Sequence, residues 1–405
     1  MRESSPILDL APLHAWLIDG GLASMPEREL FDGFCQRLVA SGFPLSRGYL
    51  SLATLHPLLW ASGVTWQGGQ IVDAIDIAYG YETRAAWLSS PFRHMLETDT
   101  RRLHRRLAGE GAVLDFPVLR EFRDAGLTEW LGLFYGFGWA LEHQQVDELG
   151  VVLSWATDRP DGWTAGELTT LEELSRTLAL AVRGSSSRGA TRDLLAAYLG
   201  RDAAERVISG HVQRGSVGRS AAVILFADLS GFTDFAEAAA PEEVTRRLNG
   251  YFDCMGEPVK IAGGEILKFL GDGLLSMFLL DAGRDTDTVA AAALEASHDI
   301  LARVERLNAM ERMAGNPALA VDIALHQGEV TYGNVGTADR LDFTVIGPAV
   351  NEVTRIEALC KELGFHLLIS DSFVRAAPAL QPQLRSLGHH RLRGVREARE
   401  VFTSN

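Results

Sequence analysis

Residues 221–278 read AAVILFADLSGFTDFAEAAAPEEVTRRLNGYFDCMGEPVKIAGGEILKFLGDGLLSMF. The stretch begins with an apolar run that ends in Asp228, as a buried strand does. A helical region follows at 234–257, and a second apolar run then turns at Gly271-Asp272 and returns, which predicts a β-hairpin. Each carboxylate is therefore expected at the end of a strand. Two carboxylates in such positions could together bind a pair of divalent cations.

The composition is that of a folded, acidic chain. Its 405 residues predict two domains, and 47% hydrophobic with 22% charged residues is enough apolar mass for two cores. The net charge of −15 argues against a nucleic-acid partner, because phosphate backbones are bound by excess cations. No run of roughly 18 apolar residues predicts a membrane helix, and the start MRESSP does not resemble a secretion signal.

The cysteines are few and have no metal-binding spacing. Three of them, Cys35, Cys254 and Cys360, suit a reducing compartment, so we expect a cytoplasmic protein with core cysteines.

The N-terminal half predicts a mixed α/β unit. Helical patterns cover 7–42 and 126–138, and a strand meander covers 48–80. Residues 91–110 are rich in Arg and His, which favours a solvated helix face over an anion site.

The last part of this half is the easiest to interpret. A strand at 149–155 meets a turn at 159–162, and a helix then begins with Thr164 and Glu167 in capping-box positions. Over 145–183 this arrangement resembles the end of a GAF-type sensory domain. The resemblance implies that residues 1–183 form a GAF-like α/β sensory domain, whose small-molecule ligand is unknown.

Residues 184–217 predict a connector. The small polar run GSSSRGAT at 184–191 indicates a domain boundary, and two short amphipathic helices follow within 192–214, the second opened by Asp202 with Glu205 three residues later. The apolar faces of these helices suit either a signal-transducing element or simple spacer packing.

From Ala221 onward the pattern is strand, two helices, hairpin, helix, strand pair, helix and strand. The helices are expected at 287–313 and 348–362, and a closing hairpin at 385–404. Strands paired through hairpins, with helices on one face, predict an α+β sandwich of ferredoxin-like βααββαβ type.

The two carboxylates define the predicted chemistry. Small residues follow Asp228, and a helix then begins at Phe232 and Thr233. The backbone N–H groups at the start of this helix can bind phosphate. The alternative is that Asp228 only caps the helix. Asp272 occupies a turn that favours Asp in any case. Two neighbouring carboxylates repel unless they are neutralised, and Mg²⁺ would both do this and activate a hydroxyl for phosphoryl chemistry.

Lysine is rare in this chain. Only Lys260, Lys268 and Lys361 occur beside 35 arginines. Lys268 lies in an apolar strand, which suggests a need for an ammonium group there, although chance placement is the alternative.

Three motifs in order, FADLSGFT, KFLGDG and FTVIGPAVNEVTR, resemble the catalytic domain of class III nucleotidyl cyclases over residues 218–405. The resemblance implies a homodimer with composite sites at the interface. It implies two Mg²⁺ or Mn²⁺ ions, held by Asp228 and Asp272 with help from the Leu229 carbonyl.

The resemblance also implies roles for the substrate-binding residues. Lys268 matches the purine-selecting lysine, which favours adenine. Thr344 occupies the partner position, where many members have Asp, so the chain looks like the threonine-bearing subgroup. Asp342 lies two residues earlier on the same strand face. Asn351 matches the residue that orients the ribose, and Arg355 the one that stabilises charge on the α-phosphate.

Other residues are less decisive. For the triphosphate tail the candidates are Arg393 and Arg391, and a surface hairpin arginine is the alternative. Gly328, Gly333 and Gly336 suit tight backbone geometry. We expect His326 to have a structural role. We expect His389 and His390 to lie in a surface loop and not to bind a metal.

Together these patterns predict an adenylate cyclase that converts ATP into 3′,5′-cyclic AMP and pyrophosphate, regulated by the N-terminal domain. A guanylate cyclase and a catalytically silent, dimerising sensor are the alternatives. Similar threonine-bearing cyclases respond to bicarbonate or CO₂, which leaves that response open for this chain.

Overall fold

The computed structural model describes residues 11–80, 84–140, 148–280, 283–395 and 397–404. The chain divides into two units, Met1–Leu194 and Leu195–Asn405. Of the described helices, none combines the length and the apolar character needed to cross a bilayer.

The first unit is built on a six-stranded antiparallel sheet with the order β3-β2-β1-β6-β5-β4. Its strands are β1 Arg47–Ala53, β2 Leu59–Gln67, β3 Gln70–Ala78, β4 Arg102–Arg106, β5 Glu129–Ala140 and β6 Glu148–Thr157. Its helices are α1 Ala11–Leu22, α2 Glu27–Ala40, α3 Ala85–Leu88, α4 Pro91–Glu97, α5 Pro117–Asp124 and α6 Ala165–Leu199, the last of which continues into the second unit.

Tryptophans anchor both faces of this sheet. Trp155 packs against Phe31 and Phe34 of α2, with ring centroids 5.7 and 5.4 Å apart, and its Nε1 donates to Ser175 Oγ at 2.9 Å. On the other face Trp130 donates to Ser154 Oγ at 2.8 Å. The indole N–H groups are therefore satisfied although both rings are buried.

Several predictions for this unit are confirmed. The meander forms β1 to β3, and the strand expected at 149–155 lies within β6. The capping box is reciprocal: Thr164 N donates to the Glu167 carboxylate at 2.7 Å, and Glu167 N donates to Thr164 Oγ1 at 3.2 Å. The helical region 7–42 is two helices, α1 and α2, with residues 7–10 outside the described part.

One helix prediction for this unit was wrong, and a second is confirmed only over α4. Residues 126–138 lie mostly in β5, a strand buried on both faces over most of its described length, so no alternating pattern marked it as a strand. Residues 91–110 form α4 and then the edge strand β4. The arginines of β4 pair with acids, Arg102 with Glu172 and Arg105 with Asp115, as surface ion pairs and not as an anion site.

Residues 184–191 are helical and lie within α6, which runs without interruption from Ala165 to Leu199. Their hydroxyls donate back along the helix, from Ser187 to the Arg183 carbonyl at 2.9 Å and from Thr191 to the Ser187 carbonyl at 2.8 Å. Small polar residues can therefore continue a helix when their side chains bond within it. The run predicted as a domain boundary is therefore part of a helix, and the chain divides into its two units a few residues later, after Leu194.

The second unit contains an eight-stranded sheet with the order β13-β14-β12-β10-β7-β9-β8, and β11 also pairs with β10. Its strands are β7 Val217–Ser230, β8 Glu265–Leu270, β9 Gly273–Leu280, β10 Ala320–Gly336, β11 Leu341–Ile346, β12 Leu367–Ser370, β13 Leu384–His390 and β14 Arg399–Ser404. Its helices are α7 Arg201–Ile208, α8 Phe232–Ala238, α9 Pro241–Ile261, α10 Thr286–Met313, α11 Pro348–Glu357, α12 Cys360–Leu363 and α13 Asp371–Ala376.

The central strands follow the order β10-β7-β9-β8 and pair antiparallel throughout. In chain order this is fourth, first, third and second, so the predicted ferredoxin-like α+β arrangement is confirmed. The closing hairpin is also present, as β13 and β14. The helix expected at 348–362 is two helices, α11 and α12.

Helices cover both faces of this sheet, whereas one covered face was predicted. On one face Tyr251 and Met255 of α9 and Ile300 of α10 pack in a buried core. On the other face Ala203 of α7 and Val353 of α11 pack in a second core. The prediction failed because the long, strongly patterned helices lie on the first face and only short ones on the second.

Strand β7 serves both cores by alternation. Ala222, Ile224 and Phe226 face α11, whereas Val223, Leu225 and Leu229 face α9 and α10. Asp228 continues the first series, so it lies on the α11 face of the sheet.

The helical state of 184–191 can be tested at Gly189. A Cβ added there meets nothing within 4 Å. Gly189→Ala should therefore stabilise the chain by about 0.5–1 kcal/mol, because alanine favours a helix interior, and Gly189→Pro should destabilise it by roughly 3 kcal/mol or more. Thermal or denaturant unfolding would measure both, and equal stability of the two variants would indicate a coil at this position.

Candidate active site

The structure brings Asp228 and Asp272 to one edge of the sheet. Asp228 is half-buried near the end of β7, and Asp272 lies in the turn between β8 and β9. The turn lies close to this carboxylate: a Cβ on Gly273 would be 2.6 Å from Asp228 Oδ1. A larger residue at 273 would require the Asp228 side chain or the Phe226 ring to shift.

This proximity has an electrostatic cost. Burial, and then the charges of Asp272 and Asp322, raise the pKa of Asp228 from 3.8 to about 6. A cation between the carboxylates would remove the repulsion.

The donor set fits Mg²⁺ or Mn²⁺. It comprises two carboxylates and the carbonyl of Leu229, whose side chain is buried in the core, and all of these are the oxygen ligands that such ions prefer. Within the described ranges, no group of three or more His, Cys, Asp or Glu side chains could hold a metal. Sites with one or two carboxylates are usual where substrate phosphates supply the remaining ligands.

Two acidic residues beside this pair escaped the sequence reasoning. Asp322 of β10 is directly opposite Asp228 in the strand register and only 4% exposed, and it accepts hydrogen bonds from Ser230 Oγ at 2.5 Å and His366 Nδ1 at 2.6 Å. Glu357 ends α11, and its pKa is raised to about 8 by burial and then by the charges of Asp228, Asp322 and Asp272. Only the register of β10 beside β7 could have indicated Asp322.

Lys268 lies on the same face of the sheet as Asp228. It pairs in register with Leu275 of β9, whose side chain packs on the α11 side. Its ammonium contacts the carboxylate of Asp342 on β11. Thr344 follows two residues later on the face of β11 away from the core, since Phe343 and Val345 point into it.

Helix α11 carries Asn351 and Arg355 one turn apart. Asn351 is exposed, and the Arg355 guanidinium lies against the loop between β13 and β14, 3.6–3.9 Å from where a Cβ on Gly394 would be. That loop also carries Arg391 and Arg393, both exposed. The two triphosphate candidates therefore share a loop that contacts Arg355.

Phe232 and Thr233 begin α8, directly after Gly231 in a left-handed conformation with φ 86°. Phe232 packs partly against the core and against Phe235, with ring centroids 6.1 Å apart, whereas Thr233 is exposed. Of these two side chains, only that of Thr233 is free to meet a ligand.

The histidines occupy structural positions. His326 is 4% exposed and bonds through Nδ1 to Ser372 Oγ at 3.2 Å, and burial lowers its pKa, as expected for a core residue. His389 and His390 lie in strand β13, paired with β14, so the surface loop predicted for them was wrong. Gly333 serves a close approach, since a Cβ there would lie 2.2 Å from the Ser216 carbonyl oxygen.

Residues 217–403 match the family described as the adenylate and guanylate cyclase catalytic domain. An adenylate cyclase of Anabaena cylindrica is 38% identical over 165 residues, which are 41% of this chain and 32% of that protein. Adenylate cyclase 1 of Rhizobium meliloti is 29% identical over 196 residues, 48% of this chain and 29% of that protein. The chain therefore spans about a third of the length of these relatives.

Among solved structures, the adenylyl cyclase CyaB from P. aeruginosa is 25% identical, with 47% of this chain and 95% of that chain covered and a TM-score of 0.42. The guanylyl cyclase Cya2 is 29% identical, with 46% and 91% covered and a TM-score of 0.40. Residues 217–403 are therefore similar to the catalytic domains of adenylate and guanylate cyclases.

The repulsion at Asp228 gives a prediction for the metal-free chain. Because the folded carboxyl holds its proton up to a pH of about 6, whereas the unfolded one releases it near 3.8, the folded state binds more protons in this window. The free energy of unfolding should fall as the pH rises from about 4 to 6. Asp228→Asn should remove this loss and be more stable than the parent above pH 6 in EDTA.

Unfolding curves at pH 4 and pH 8 would measure the effect. Saturating Mn²⁺ should stabilise the parent chain and leave Asp228→Asn unchanged. An equal gain from Mn²⁺ in both chains would contradict a cation at this carboxylate.

Proposed function

We propose that this chain, whose residues 217–403 form a class III adenylate and guanylate cyclase catalytic domain, is an adenylate cyclase that makes 3′,5′-cyclic AMP and pyrophosphate from ATP. The observation that carries the proposal is the proximity of Asp228, near the end of β7, to Asp272 in the β8–β9 turn. Within the part of the chain that the structure describes, neither carboxylate forms a salt bridge that would compensate for this repulsion, and Asp228 accepts only a backbone hydrogen bond from Leu229.

Asp228 and Asp272, with the Leu229 carbonyl, would hold two Mg²⁺ or Mn²⁺ ions, which would neutralise the triphosphate and acidify the ribose 3′-hydroxyl. The protein's own groups would bind and orient the nucleotide. Asn351 would fix the ribose, so that the 3′-oxygen faces the α-phosphorus in line with the leaving pyrophosphate. Arg355 would stabilise the negative charge that grows on the α-phosphate, and Arg393 or Arg391 on the neighbouring loop would bind the tail.

Adenine is the base that the site suits. The Lys268 ammonium can donate a hydrogen bond to the N1 acceptor of adenine. Guanine has an N1–H donor at this position, so two donors would face each other and no hydrogen bond could form. The Thr344 hydroxyl can accept from the adenine amino group. Guanylate cyclase activity remains the alternative, since the family includes both activities.

The catalytic unit is proposed to work as a homodimer. In this arrangement one chain supplies the metal-binding Asp228 and Asp272, and its partner supplies Lys268, Thr344, Asn351 and Arg355. Mixing an Asp272→Asn chain with an Arg355→Ala chain should then restore part of the activity, because one of the two composite sites would be intact.

The central prediction concerns Asp272→Asn. Removing one of two metal-binding carboxylates should lower kcat for ATP by at least about a hundredfold, while the unfolding midpoint changes little because Asp272 lies in a turn. The control is Asp253→Asn, an exposed carboxylate on α9 away from the site.

The assay would follow cyclic nucleotide formation from ATP and from GTP with Mg²⁺ and Mn²⁺. Full activity of Asp272→Asn would contradict the proposal, and faster turnover of GTP would replace it with the guanylate alternative. No product from the parent chain under any metal condition would favour a silent, dimerising sensor.

The N-terminal unit is proposed to regulate this activity through residues 192–214. In the second unit, α7 packs directly on the catalytic sheet: Ala203 lies in the core shared with Ile224 and Val353, and the Arg206 guanidinium lies 5.3 Å from the ring centroid of Tyr332. A shift of α7 would therefore reach β10 without an intermediate element. The signal that the N-terminal unit senses would be a small molecule.

Two truncated chains would test this role. Residues 195–405 keep α7 and should fold, whereas 218–405 should lose a few kcal/mol of stability, because burying one aliphatic side chain contributes roughly 1.5–3 kcal/mol. If 195–405 and the full chain have the same basal rate and the same response to added bicarbonate and other ligands, the regulatory role is wrong.

A further inference from the structure

The nearest partner of Lys268 is not one of the residues assigned above. Lys268 stands on β8, the last strand of the sheet order, and its ammonium contacts the carboxylate of Asp342 on β11. The two side chains are 42% and 47% exposed. Since β8 and β11 are far apart along the chain, this ion pair joins two elements that carry the base-reading residues.

Lys268 needs such a partner if it is to read a base. Its flexible four-carbon stem can place the ammonium in many positions, and on an edge strand few neighbours restrict it. Thr344 offers a hydroxyl and no charge, so it cannot anchor the ammonium as a carboxylate at that position would. Asp342, two residues earlier on the same face of β11, supplies the charge.

The donor count permits both contacts at once. An ammonium has three N–H donors, and a contact with Asp342 leaves two for other acceptors. A lysine held in this way is preorganised, and preorganisation lowers the entropy lost when a ligand binds.

We infer that Asp342 is a positioning residue for nucleotide choice: its carboxylate holds the Lys268 ammonium where the purine edge is read and does not itself touch the nucleotide. The inference rests on the proposed function, because it assumes that Lys268 reads the base. Loss of a simple surface ion pair would change only the stability of the protein. Loss of a positioning carboxylate would also change nucleotide binding and base preference.

The experiment is a double-mutant cycle on the full chain, with Asp342→Asn, Lys268→Met and the double variant, assayed with ATP and GTP. Asp342→Asn should raise KM for ATP roughly three- to tenfold and lower the ATP-over-GTP preference, with kcat within about twofold. In the Lys268→Met background the same change should have no further effect, because Asp342 acts through the lysine.

Two controls make the result specific. Asp342→Glu keeps the carboxylate and should restore most of the ATP preference. Asp339→Asn removes a carboxylate from the preceding turn, where Asp339 accepts from Thr337 Oγ1 at 2.6 Å, and should leave both KM values unchanged. Thermal unfolding of each variant would separate a folding defect from a binding defect.

Two results would overturn the inference: an unchanged KM and base preference in Asp342→Asn, or a full-sized effect that persists without Lys268. ATP affinity, measured by calorimetry with Ca²⁺ in place of Mg²⁺, should weaken in Asp342→Asn by the same factor as KM rises. Absence of product from the parent chain would refute the proposed function, while the affinity measurement would still decide the role of Asp342.

Discussion

The close approach of the β8–β9 turn to Asp228 is the constraint on which the active-site unit depends. A Cβ at position 273 would come within 2.6 Å of Asp228 Oδ1, so a larger residue there would displace the Asp228 side chain. The approach also concentrates negative charge, as the raised pKa values of Asp228 and Glu357 indicate. A fold selected for stability alone would separate these carboxylates or pair them with arginine, which is abundant in this chain.

The packing of strand β7 holds Asp228 in position despite the repulsion between the carboxylates. Its residues alternate between two cores, so a slip of one residue in register would turn Asp228 towards α9 and α10 and expose Leu229. The two buried cores oppose such a slip, because each would lose several aliphatic side chains. The position of the Asp228 carboxylate is thus fixed by packing elsewhere on the strand.

The parts of the fold that could be predicted were those with a strong local pattern. The apolar run before Asp228, the Gly-Asp hairpin and the Thr164–Glu167 capping box each follow from neighbouring residues. Predictions failed where the local pattern is ambiguous: β5 is buried on both faces over most of its described length and lacks alternation, and 184–191 is helical although its small polar residues more often mark a turn. Local sequence does not encode which neighbours a segment will have.

The same distinction applies within the candidate site. Residues on one motif, such as Lys268 and Asp272, could be connected through the family resemblance of that motif, whereas Asp322 and Glu357 lie beside the site because of strand register and the end of a helix. The ion pair of Lys268 with Asp342 joins residues 74 positions apart. In the sequence, Asp342 lies two residues before Thr344. In the structure Asp342 contacts Lys268, and under the role inferred above the threonine at 344 and the carboxylate at 342 would both serve base recognition.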